Sequence, residues 1–136
     1  MTRENIPYGN AMKMDVSFAN ANAVEIAPGK KLVFIAGQLA FDENDTLVGV
    51  GDIGAQTEQI LKNIKKHMES LGGTMDDIVN VTAYVSTMEG LETIHEVRRK
   101  YFNKPYPSST LVQISNFVNP DGLIEINAQA VIETKR

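Results

Sequence analysis

The chain contains no cysteine and no tryptophan. The first absence removes disulfides, thiolate nucleophiles and every cysteine-based metal site. Basic residues are also scarce: 13 Lys and Arg stand against 17 Asp and Glu, a net charge of -4. Nucleic-acid backbones are held by clustered Lys and Arg. The two clusters present, Lys65-Lys66-His67 and Arg98-Arg99-Lys100, fall on predicted helices beside acidic residues and are read as solvated helix faces. No apolar run approaches the ~20 residues of a membrane-spanning helix, and the first residues lack an apolar core of the secretory type. A cytoplasmic protein with no nucleic-acid or membrane partner is expected. No P-loop, dinucleotide fingerprint or nucleophile elbow occurs. Gly49-Val50-Gly51 is too short to suggest phosphate binding. His67 and His95 stand on different predicted helices and are read as surface or boundary residues, so neither a metal nor a cofactor is expected.

What is present is ordinary globular material. With 136 residues, 43% of them apolar, the sequence reads as one domain over residues 1–136. A chain of this size hides roughly two-thirds of its unfolded surface. Residues 1 to about 20 read as a loosely patterned arm. Pro28-Gly29 marks a turn, and Lys31 to Ala36 is a short apolar strand covered on both faces. Asp42 to Asp45 is a turn. Asp52 is a good N-cap for a helix whose stripe is Ile60, Leu61, Ile64, Met68 and Leu71, and Gly72-Gly73 closes it. The alternation from Ile78 to Val85 predicts a strand. Asp76-Asp77 just before it reads as a local turn or cap. Ser86-Thr87-Met88-Glu89 fits a capping box for a second helix carrying Leu91, Ile94, Val97 and Tyr101. Asn103 to Pro107 ends that helix, and two strands follow near Thr110–Ser115 and Leu123–Glu133. The order β(β)αβαββ predicts an α+β domain with two helices on one face of a mixed sheet. The other face keeps apolar side chains, which predicts a second subunit over it.

Glu125 is the best acid/base candidate, a carboxylate between Ile124 and Ile126 on an otherwise neutral strand face. Covered by a partner, it would lose solvation and gain a pKa useful for proton transfer; left bare, it is an exposed strand carboxylate. Ser108, Ser109 and Thr110 follow Pro107 and offer hydroxyls and strand-end N–H groups for a ligand, or simply turn chemistry. Gly37 ends an apolar strand and admits a ligand or another strand close to the backbone, or makes a bend. Tyr84 lies near the end of its strand, lining a cleft or packing.

Several segments in this order resemble the RidA/YjgF family of reactive intermediate deaminases. They are Ile35-Ala36-Gly37-Gln38, Gln56-Thr57 with Leu61, Asn63 and Ile64, the Leu71 to Val79 turn, Tyr101-Phe102, Ser109 to Ile114, and Ile124 to Ala128. The resemblance covers about residues 20 to 132. It implies a chorismate-mutase-like fold and a homotrimer with ligand clefts between subunits. It also implies hydrolysis of enamines and imines to keto acids and ammonia, with an arginine on the substrate carboxylate and a glutamate handling water. Carried over, the glutamate matches Glu125, the cleft glycine matches Gly37, and Ala36 replaces the hydroxyl residue before it. The arginine of a Pro-x-Arg-Ser motif falls on Ser108, and a cleft tyrosine has Asn20 or Phe18 nearest. Without that arginine, deamination of an enamine or imine other than the usual amino-acid-derived ones is the expected activity. A non-catalytic metabolite-binding trimer is the alternative. Ribonuclease or translation-inhibitor activity is the reading the acidic charge favours least.

Overall fold

The computed structural model describes residues 2–134. Six strands and two helices follow the order β1 (Arg3–Pro7), β2 (Ala19–Ala27), β3 (Lys30–Gln38), α1 (Ile53–Ser70), β4 (Ile78–Val85), α2 (Leu91–Arg98), β5 (Ser108–Gln113) and β6 (Ile124–Glu133), with one 3-10 turn at Met75–Asp77. They form a single mixed sheet in the order β1-β2-β3-β6-β4-β5. The last strand runs antiparallel between β3 and β4, while β4 and β5 pair in parallel. Such parallel neighbours need a crossover, which α2 supplies. The α+β, chorismate-mutase-like arrangement expected from the sequence is the one found.

Period-two patterning decides which residues make the core. Ile124, Ile126, Ala128, Ala130 and Ile132 of β6 are all buried, as are Val33 and Ile35 of β3 and Val81, Ala83 and Val85 of β4. They meet the buried stripe of α1, which is Ile60, Leu61, Ile64 and Met68, and Ile94 and Val97 of α2. Asp52 caps α1 by accepting from Ala55 N. At the other end Gly72 takes φ +89°, Gly72 N donates to Glu69 O and Gly73 N to Met68 O. That pair of bonds is the left-handed glycine stop anticipated at this position. Thr74 and Asp77 cap each other's backbone in the 3-10 turn. The Tyr101 hydroxyl donates to Glu58, tying the end of α2 to α1.

Four details depart from expectation. The arm holds a strand, β1, paired with β2 from Arg3↔Val24 to Pro7↔Ala19. The sheet therefore has six strands rather than four or five. The capping box does not form: α2 starts after Gly90, whose φ of +83° only glycine adopts cheaply, and Glu89 N bonds Thr87 Oγ1 in a local turn instead. A register shift between Ile78 and Asn80 turns Val79 outward, breaking the simple alternation of β4. Finally, β3 is covered on one face only within the chain, and Phe34 remains 46% exposed.

Candidate functional site

A β-bulge organises the front of the molecule. The β3–β6 register runs Ile35↔Ala128 and then Gln38↔Ile126, so β3 carries one extra residue there. A bulge bends its strand and re-aims side chains. Here it brings the Gly37 backbone over Glu125. A Cβ placed on Gly37 would overlap the Glu125 carboxylate and stand 2.7 Å from its Cδ, so only glycine leaves room for this approach. Glu125 in turn faces Tyr84 in the β4–β6 register. Directly opposed residues have Cβ atoms about 5 Å apart, so Tyr84 is the carboxylate's cross-strand neighbour.

Glu125 and Gly37 line a cleft of about 590 Å³. Its walls come from the segment after β1 (Tyr8 and Phe18), from β2 (Asn20), and from α1 (Asn63, Lys66 and His67). Tyr8 and Phe18 pack with ring centroids 4.8 Å apart. Behind them a polar chain is fixed. Gln38 Nε2 donates to Asn20 Oδ1 at 3.2 Å and to Ala36 O at 3.0 Å, while Gln38 Oε1 lies 3.2 Å from His67 Nε2. Burial raises the Glu125 pKa above the ordinary carboxylate value. Burial, then Lys66, lowers that of His67. Burial, then the charges of Asp45 and Glu125, raises that of Tyr8 and keeps its phenol neutral. The entry of β6 is held by Gln56 of α1, whose Oε1 accepts from Leu123 N and whose Nε2 donates to Asp121 O and Gly49 O.

The nominated residues thus separate into two groups. Ala36, Gly37, Tyr84 and Glu125 gather around the bulge. Ser108 and Thr110 do not join them. Ser108 pairs with Asn80 and Thr110 with Thr82, whereas Glu125 is level with Tyr84 and Val112. Strand spacing and rise put Ser108 about 16 Å and Thr110 about 12 Å from Glu125. Ser108 Oγ donates at the sheet edge, with Val79 O and Asn80 Oδ1 at 3.2 and 3.0 Å. The placement of the family arginine also shifts by one: with Pro107 as the motif's proline, the third position is Ser109. Its Oγ accepts from Arg98 Nη1 at 3.0 Å.

His67, Tyr8 and Gln38 were not nominated from the sequence. His67 is half-buried, a boundary residue as expected, and it forms part of the cleft wall. The signal was available: Gln59, Asn63 and His67 recur at i, i+4 and i+8 beside the apolar stripe of α1, and Gln59 Nε2 donates to Asn63 Oδ1. Tyr8 had no such signal, because it is placed by β1.

Comparison with known proteins fixes the relationship. The family model described as Endoribonuclease L-PSP matches residues 14–132. The chain belongs to the RidA/YjgF family. A RutC family protein of Pyrococcus horikoshii is 38% identical over 101 residues, covering 74% of this chain and 79% of that one. A protein of Acinetobacter baylyi named 3-aminoacrylate deaminase RutC is 34% identical over 99 residues, covering 73% and 78%. A crystal structure from Mycobacterium tuberculosis, described as a member of the YjgF/YER057c/UK114 family, superposes with a TM-score of 0.79. It is 27% identical and covers 96% of this chain and 100% of that chain. This RidA/YjgF chain therefore shares both sequence and fold with the family over nearly its whole length. Among the described residues no helix is long and apolar enough to cross a membrane.

Proposed function

We propose that this protein hydrolyses a small enamine or imine to a carbonyl compound and ammonia, in clefts completed by further copies of itself in a homotrimer. The observation that carries the reading is the Glu125 carboxyl pressed against the Gly37 backbone at the wall of an open cleft. Desolvation of this half-buried carboxyl raises its pKa above the ordinary carboxylate value, the direction that suits a group which must both give and take a proton. Protonated, it gives its proton to the enamine carbon, forming the imine. As carboxylate, it takes a proton from water while the water oxygen bonds to the imine carbon. Collapse of the carbinolamine breaks the C–N bond, leaving a carbonyl and ammonia. No redox partner enters this balance. The relative named as a 3-aminoacrylate deaminase supports the same reaction class.

Self-association is supported by the uncovered sheet face. Phe34 and Val131 are exposed there, and the Oδ1 of Asn127 is buried with no partner among the described residues. Ser108 and Thr110 lie too far from Glu125 for one small ligand to meet both within a chain, at about 16 and 12 Å, so a shared role would require two copies. The test is ammonia release from a panel of small enamines and imines, with those generated in situ by a serine or threonine dehydratase as the comparison. Glu125→Gln should lower the rate by about 100-fold or more, the range general acid–base catalysis contributes. Full activity in that variant refutes the role, and saturable binding without turnover in the wild type leaves a metabolite-binding trimer.

A further inference from the structure

Gln38 is buried at 7% exposure, and both ends of its amide are engaged. Two backbone carbonyls fix the direction of the bonds around it, because a carbonyl oxygen only accepts. Asn20 Nδ2 donates to Pro7 O at 3.3 Å, so Asn20 turns its Oδ1 to Gln38. Gln38 Nε2 donates to Ala36 O at 3.0 Å, so Gln38 turns its Oε1 to His67. An acceptor 3.2 Å from the ring nitrogen requires the proton on Nε2. His67 therefore donates to Gln38, Gln38 to both Asn20 and Ala36, and Asn20 to Pro7. The Nε2–H donates from the neutral and the protonated ring alike, so the order of bonds does not depend on the ring's charge.

The chain ties α1 to β3, to β2 and to the end of β1, beside the cleft residue Tyr8. Its branch to Ala36 matters most. Ala36 and Gly37 are the two residues that the bulge sets against one residue of β6. The bond from Gln38 Nε2 to Ala36 O closes over Gly37, and among the described residues it is the one side-chain bond to either of them. It holds the bulge in the shape that seats Gly37 on Glu125. We propose that His67 is a positioning residue, which acts through Gln38 to lock the bulge that holds Gly37 against Glu125. Without the His67 N–H, the buried Gln38 Oε1 has no donor, a costly state for a polar atom. The amide then turns to find one and gives up Ala36 O. The bulge relaxes, water reaches Glu125, and its pKa falls toward the ordinary carboxylate value. The inference rests on the role given to Glu125 above and adds what keeps that carboxyl in place.

The Glu125 carboxyl, followed by carbon-13 NMR across pH and assigned by its loss in Glu125→Gln, reads the lock without any substrate. It should titrate above the ordinary carboxylate range in the wild type. His67→Leu should move it back toward that range. His67→Gln, which returns an N–H to Gln38, should restore it. For any enamine turned over, kcat should fall about 10- to 100-fold in His67→Leu, the scale of a displaced reacting group, with KM held. Gln38→Met drops the amide at similar volume. It should shift the Glu125 titration as His67→Leu does, and the double variant should shift it no further. That variant keeps the test open if His67→Leu fails to fold. The wild type gives a separate reading, since nitrogen-15 shifts of the neutral His67 ring must place its proton on Nε2. A proton on Nδ1 overturns the proposal. So does a His67→Leu protein of lower melting temperature whose Glu125 titrates as in the wild type, which would make the role structural only. Failure of His67→Gln to restore the titration overturns it as well. The expected titrations in a protein that deaminates nothing would sink catalysis and keep the lock. Unchanged turnover and unchanged Glu125 titration in His67→Leu would sink the lock and keep catalysis.

Discussion

The two faces of β6 obey opposite rules. Toward the helices stand Ile124, Ile126, Ala128, Ala130 and Ile132, all buried. Away from them stand Glu125, Asn127, Gln129 and Val131, none fully buried. One strand thus carries the core on alternate residues and the proposed chemistry on the residues between. The helix face is complete within one chain. The other face is not, since it combines exposed Phe34 and Val131 with the unpartnered Asn127 Oδ1. An exposed phenyl ring beside a buried acceptor without a partner is the pattern that the proposed self-association would complete. The contrast teaches that substitutions one residue apart should fail in different ways.

The largest effect belongs to the covered face. Ile126→Ala removes a fully enclosed side chain, and truncations of this kind cost about 2–5 kcal/mol. Chemical denaturation should show that loss, together with a lower melting temperature. A loss under 1 kcal/mol would mean that the helix face is loosely packed and that the contrast is wrong. Phe34→Lys probes the open face. It should leave the folded chain's helical signal intact while converting an assembly to a species of about 15 kDa in sedimentation. Unfolding instead of dissociation would make the open face part of the monomer's own stability. A smaller effect is expected at Gly37. Its Ala variant must push Glu125 aside, so turnover should fall at least as far as in Glu125→Gln while the melting temperature moves by only a few degrees. Unchanged turnover would show that the close approach is incidental.

How far these features can be read from sequence depends on whether burial leaves a pattern. The stripe of α1, its Asp52 cap and its Gly72 stop were legible, because each follows from local chemistry. The strand β6 was legible from its alternation. By contrast β1 has the burial of an edge strand, with Ile6 its sole partly buried residue, so no alternation announces it. Its consequence, a cleft walled by Tyr8, was invisible for the same reason. The false capping box at Ser86 arose because a Thr87 turn satisfies the same groups that a cap would. Glu125 was nominated by strand polarity. The bulge that seats Gly37 on it is a one-residue change of register between strands far apart in the chain, between the pairs Ile35↔Ala128 and Gln38↔Ile126, which no local pattern carries. Likewise the Arg98–Ser109 contact joins a helix to an edge strand, and from sequence Arg98 looked like part of a solvated basic run.

The smallest effect is the most discriminating about the cleft. Its two titrating groups pull stability in opposite directions with pH. The Glu125 pKa is raised in the folded state, so the folded chain holds that proton more tightly than the unfolded one. Its favourable contribution is present below the ordinary carboxylate value of 4.5 and is lost as pH rises through the folded value. The His67 pKa is lowered, so its favourable contribution is present above 6.5 and is lost as pH falls through the folded value. Stability measured by denaturation should therefore decline above pH 4.5 on account of Glu125 and recover toward pH 6.5 on account of His67. Glu125→Gln should remove the decline and leave the recovery. His67→Gln, which keeps a donor for Gln38, should do the reverse. If both variants give the wild-type profile, neither group is desolvated in the folded protein, and the open face would be as wet at Glu125 as it is at its rim.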